Sequence, residues 1–333
     1  MSSRGRKGQL GLLALGFGSV VALAHLVGAR DIAQVVARCA PVVPLLLVIE
    51  AARIGLEARA VRDLYRALGA EVPPRALARA HLVGYAMTTV LPAGRAVAET
   101  YVATALVRFA SPGKAAAVGT LNHAVAMAAN AFVAAVCFVA CLYATGMSPL
   151  TVAIGLHTLL VGGIALALPV VARSRRACAA AARVIRFVLG EKRAERAARG
   201  LEAMGDAARV HAGAPRSALA AHLIARGMQA IGMAVLLATI SGMRGTSALI
   251  GGLLGQAVHL VGTSAGDLVP LQLGATDGGF ALAAPALGMK VADAVAAALI
   301  LHGVHLAWSV LGALVPLVWR IGPSLHEGTE DRG

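Results

Sequence analysis

Apolar runs long enough to cross a membrane alternate with short polar or basic segments along almost the whole chain. The runs at 9–27, 32–56, 115–143, 150–171, 218–240 and 291–319 reach or approach the roughly 20 residues that a helix needs to cross a hydrocarbon core about 30 Å thick. They predict an all-α, polytopic helical membrane protein. The run at 32–56 continues as a charged helix toward Leu68, with Pro41 and Pro44 bending it rather than stopping it. Gly69 with Pro73-Pro74 ends that extension in a turn.

Two places interrupt the pattern in the same way. Leu91-Pro92-Ala93-Gly94-Arg95 leads to Glu99, and Val269-Pro270-Leu271-Gln272-Leu273-Gly274 leads to Asp277, so in both a carboxylate lies seven residues after a proline. The runs around the first break, 80–91 and 96–109, hold 12 and 14 residues. As helices they measure only about 18 to 21 Å, too short to cross alone. They predict a re-entrant hairpin that turns at 92–95. The second break, 266–274, follows an arm at 248–265 that is nearly long enough to span, and precedes a short helix at 276–287.

In each half, the short helix is followed by a lysine, Lys114 or Lys290, and then by a 29-residue apolar segment, 115–143 or 291–319. This order predicts an inverted repeat whose two broken-helix hairpins enter from opposite faces, an arrangement that recurs in transporters. Backbone left unpaired by a broken helix is tolerated in a membrane only where it lines a protein-enclosed cavity. Acids inside a membrane are costly and mark pathways. The two breaks are therefore the expected working site.

Composition agrees with this class: 58% of the residues are hydrophobic and only 14% are charged, with a mean hydropathy of +0.76. One transmembrane domain is expected over 1–321, with a short polar tail at 322–333. The net charge of +14 is concentrated in 57–79 and in 173–216. Basic loops between apolar runs face the cytoplasm and attract anionic headgroups. The clusters hold almost no aromatic residue for stacking on bases, so nucleic acid is not an expected partner. Arg4, Arg6 and Lys7 before the first run give a retained first span that starts in the cytoplasm, and Arg320 after the last run places the tail there too. Cys39, Cys137, Cys141 and Cys178 contain no CxxC and read as small core residues.

Arg95 and Glu99 stand at i,i+4, so a helix starting after Gly94 presents both on one face. An arginine beside free N–H groups at a helix start can hold a phosphate, and the acid can balance that charge. Asp277 follows Gly274 and Thr276 and precedes Gly278-Gly279, the setting of an acid in a first helical turn. Gln272 and Asp267 add polarity to the same broken stretch. Arg95, Glu99, Asp277, Gly94, Gly274, Gln272 and Thr276 are thus the expected substrate-binding residues. Glu50, Arg53 and Asp267 are the expected charge or proton relay, with Glu50 and Arg53 paired at i,i+3. His81, His123, His259, His302 and His305 read as hydrogen-bonded core histidines. No metal, cofactor or catalytic residue is expected, since nucleotide-binding, zinc and serine-hydrolase motifs are lacking.

The stretch from Gly84 to Arg95, the later Pro270 to Asp277, and Ala286-Leu287-Gly288-Met289 together resemble the lysylphosphatidylglycerol synthase transmembrane, or flippase-like, family. Members have an LP-containing break with glycine and an acid in the first half, and a P-x3-G-x2-E break followed by an apolar helix in the second. Here Asp277 stands in place of the glutamate, and the first acid is displaced to Glu99. The resemblance implies lipid translocation or headgroup handling in a bacterial cytoplasmic membrane, without aminoacyl transfer. Anionic membrane lipids are the expected partners. Two other readings compete: an integral membrane enzyme with Glu99 or Asp277 as general base, and a non-catalytic protein that docks a partner through its basic loop.

Overall fold

The computed structural model describes residues 17–91, 94–173 and 214–319, with isolated positions between 176 and 195. The amino-terminal basic residues, Pro92-Ala93 at the first turn, Cys178 with most of the basic loop, and the polar tail with Arg320 lie outside the described residues. So do the cytoplasmic placement and partner docking expected of those segments. All the described elements are helical.

Helix α1 (Phe17–Val27) ends at Gly28, whose φ of 106° turns the chain into α2 (Ala29–Cys39). A 3-10 turn (Ala40–Val42) joins α2 to α3 (Val43–Ala67). Pro41 and Pro44 therefore bend one long run without stopping it, because prolines in a first helical turn lose no internal hydrogen bond. Helix α4 (Pro74–Val90) starts six residues before the expected arm and measures 17 residues, about 25 Å. Pro74 explains the early start, since a proline in the first turn is already in helical φ and lacks only an N–H that would be unpaired there.

After the first break come α5 (Gly94–Leu106) and a 3-10 turn (Val107–Phe109). Next are α6 (Pro112–Thr145) and α7 (Pro149–Arg173). The carboxyl half holds α8 (Ala214–Ser241) and α9 (Thr246–Ala265). A 3-10 turn (Pro270–Gln272) and α10 (Ala275–Ala283) follow. Helix α10 stops four residues before the expected end at 287, and turns over 284–290 lead to α11 (Val291–Val318).

Six helical runs are long and apolar enough to cross a membrane: Ala29–Ala67, Pro112–Thr145, Pro149–Ala167, Arg216–Ser241, Thr246–Ala265 and Val291–Val318. The arm before the second break is thus of full spanning length, at 20 residues. Helix α3 packs on α8, α4 on α11, α6 on α7 and α8 on α9. Small residues allow the close approaches, as is usual where helices gain nothing from expelling water. Gly312 of α11 abuts the backbone carbonyl of Leu82, and Gly252 of α9 abuts Ala234 of α8. Trp308 of α11 donates its indole N–H to the carbonyl of Leu47 at 3.1 Å, tying the last helix to α3.

Candidate functional site

The first break depends on a close backbone approach. A Cβ at Gly94 would collide with the carbonyl groups of Met87 and Thr88, so only glycine lets α5 start against the end of α4. Arg95 and Glu99 then project from the first two turns of α5. Arg95 Nε lies 3.9 Å from Glu99 Oε1, and that carboxylate lies 2.9 Å from Nδ1 of His123 on α6. The Arg95 and Glu99 side chains keep 38% and 31% of their surface accessible, so the pair is loose and reachable.

The second break is built differently. Leu271 and Gln272 both adopt left-handed backbone, at φ 58° and 55°, and Gly274 follows at φ 82°. Asp277 is fully buried and accepts a hydrogen bond from the Gly274 N–H at 2.9 Å, closing the first turn of α10. The same Oδ2 lies 3.2 Å from Nε2 of His302 on α11.

Both breaks open on one cavity of about 500 Å³. Thr88, Arg95 and Glu99 line it from the first, and Asp267, Leu271 and Gln272 from the second. Each of the six spanning runs also contributes: Arg53, His123, His157, Arg226, His259 and His302 stand on its wall. Of the residues expected at the site, Arg53, Arg95, Glu99, Asp267 and Gln272 therefore meet at one space. Glu50, Gly94, Gly274, Thr276 and Asp277 are not on its wall; they shape or hold the residues that are. Thr276 and Glu50 are buried, at 1% and 5% exposure.

A charge network closes one side of the cavity. Arg53 makes a two-pronged bond to Glu50, Nε to Oε2 at 2.9 Å and Nη2 to Oε1 at 2.6 Å, and its Nη1 donates to Glu57 at 2.7 Å. Glu50 also accepts from the Tyr85 hydroxyl at 2.5 Å. Across the helix pair, Arg226 of α8 reaches Glu57 at 3.4 Å and donates to Gln229 at 3.1 Å. Charges withdrawn from water in this way must be paired, and here two acids and two guanidinium groups pair with one another.

Several buried polar atoms on the wall have no hydrogen-bond partner among the described residues: His81 Nε2, Asn130 Oδ1, His157 Nε2, His222 Nδ1, Arg226 Nε and His259 Nδ1. Buried polar groups are nearly always satisfied, and these atoms are themselves shielded behind the cavity surface. The histidines expected in the core thus stand on the cavity instead, with His157 and His222 beside them. Arg226, Glu57, His157 and His222 are site residues that the sequence pattern did not bring out. The one available signal was an arginine inside the run 218–240. Among the described residues, no group of three or more His, Cys, Asp or Glu is arranged to hold a metal ion.

Six spanning runs and an all-helical fold with a cavity lined by charged, polar and apolar residues define a polytopic helical membrane protein. The chain belongs to the family described as the lysylphosphatidylglycerol synthase TM region, which it matches over residues 9–312. No match was found among curated proteins or solved structures.

Proposed function

We propose that this protein carries lipid across its membrane, taking an anionic headgroup into the cavity between the two breaks while the acyl chains stay in the bilayer. The observation that carries this reading is the meeting of both interrupted helices at one polar space walled by every spanning run. Interrupted helices around a midplane site are a recurring transporter design. Arg95 is the cation suited to hold phosphate, because its ion pair with Glu99 is long, at 3.9 Å, and partly accessible, whereas Arg53 is taken up by Glu50 and Glu57. Glu99 and Gln272 border the headgroup, and Gly94, Gly274, Thr276 and Asp277 fix the two turns. Glu50 and Arg53 keep the facing wall in place, and Asp267 adds a charge at the second break. We read the two broken pairs as re-entrant halves of an inverted repeat in a bacterial cytoplasmic membrane.

The test uses purified protein in phosphatidylcholine liposomes carrying fluorescent phosphatidylglycerol. The protein exchanges the label between leaflets, as read by a membrane-impermeant quencher. The triple variant Arg95→Ala, Glu99→Gln, Asp277→Asn reduces that exchange at least tenfold. Unchanged exchange in a correctly folded triple variant removes the proposed site.

A further inference from the structure

Each break places a carboxylate against a histidine of the long helix that follows it. Glu99 of α5 meets His123 of α6 across 24 residues of chain, and Asp277 of α10 meets His302 of α11 across 25. Both histidines line the cavity. The packing repeats in the same order: α4 lies on α11 as α9 lies on α6, and α5 on α6 as α10 on α11. Arg53 stands 21 residues before the start of α4 at 74, and Arg226 stands 20 before the start of α9 at 246. Two acid–imidazole couples in matching positions of two matching halves are one device used twice.

Histidine is the side chain whose charge changes between about pH 5 and 8. A carboxylate beside it orients the ring, and chains of acids and histidines inside membranes serve as proton relays. The groups around the first couple are Arg95, 3.9 Å from Glu99, and His222, whose Nε2 lies 2.9 Å from Oδ1 of Asn122, the residue before His123. His222 in turn senses Glu57, Arg226, Arg95 and His81. Around the second couple stand His259 on α9 and His305 on α11. Behind His305 lie Glu50, 3.8 Å away, and Arg53.

With its imidazoles neutral, the cavity wall and the acids bonded directly to it carry Arg53, Arg95 and Arg226 against Glu50, Glu57, Glu99, Asp267 and Asp277, three positive charges against five negative. A proton on each couple brings the two signs into balance and removes the excess negative charge that repels phosphate. Linkage then works both ways: protons on the couples strengthen phosphate binding, and bound phosphate strengthens the hold on the protons. Headgroup and protons therefore enter together and leave together. We propose that the protein moves its lipid in symport with protons, carried on the Glu99–His123 and Asp277–His302 couples, toward the more alkaline side of the membrane. No covalent bond changes; protons are taken from water on one face and returned to water on the other. This inference rests on the lipid-transport reading above.

The experiment imposes a pH gradient on the same phosphatidylcholine liposomes with fluorescent phosphatidylglycerol, beside protein-free vesicles. The label collects in the leaflet facing the alkaline side, with a limiting enrichment of about tenfold per pH unit for each proton that accompanies a lipid. Reversing the gradient reverses the enrichment, and a proton ionophore abolishes it. In His123→Gln and in His302→Gln, the ratio of exchange with the gradient to exchange without it falls, and in the double variant it falls to one. Exchange by the unaltered protein that ignores the gradient overturns the symport and leaves lipid transport standing. A full gradient response in both histidine variants overturns the assignment to these couples. No exchange of label under any condition overturns both readings.

Discussion

Arg53 and Arg95 face the same cavity under opposite conditions. Arg53 sits within a continuous helix, with both sides of its guanidinium group taken by Glu50 and Glu57 and only 9% of its side chain accessible. Arg95 sits at a break, far more exposed, with one acid at 3.9 Å. The difference separates two uses of charge inside a membrane protein. Where the helix is unbroken, charges are bound to one another and brace the fold. At the first break, by contrast, the charge keeps a loose partner and an accessible face.

The strongest way to break this contrast is Arg53→Met. It leaves Glu50 as an uncompensated buried acid and Glu57 with Arg226 alone, and removing one partner of a buried pair costs about 3–5 kcal/mol. The variant should lose its folded, monodisperse form in detergent or melt far below the parent. Asp277→Ala comes next: it strips the Gly274 N–H of its acceptor and His302 of its partner. A loss of about 1–3 kcal/mol follows for buried groups left unsatisfied, read as a smaller fall in the melting midpoint. Arg95→Gln is the mildest for the fold, at about 1 kcal/mol or less for a loose, accessible pair. It should nevertheless weaken binding of phosphatidylglycerol in mixed micelles about tenfold, the scale of one lost charge-assisted hydrogen bond. If Arg95→Gln destabilises the protein as much as Arg53→Met, the two arginines do not differ in kind.

The architecture was legible because a membrane span declares itself by length and polarity alone. The breaks were legible because Pro92 and Pro270 are each followed by glycine and an acid, which no plain span tolerates cheaply. Arm lengths were less accurate at α4, where the first turn around Arg75 is polar and the apolar pattern starts later than the helix does. The far wall of the site was not legible. Glu57 reads as part of a basic extension, and its meaning emerges only when Arg226 arrives from α8. The histidines sit singly on separate helices, and a cavity that gathers one residue from each of several distant segments leaves no local spacing to recognise.

Leu271 and Gln272 hold a conformation that side-chain-bearing residues avoid, at a cost on the order of 1–3 kcal/mol each. The second break is consequently a tensioned joint, whereas at the first, among the described residues, the constraint is the close backbone approach at Gly94. A rearrangement that lets 271–272 turn over returns stored conformational energy to that end of the cavity.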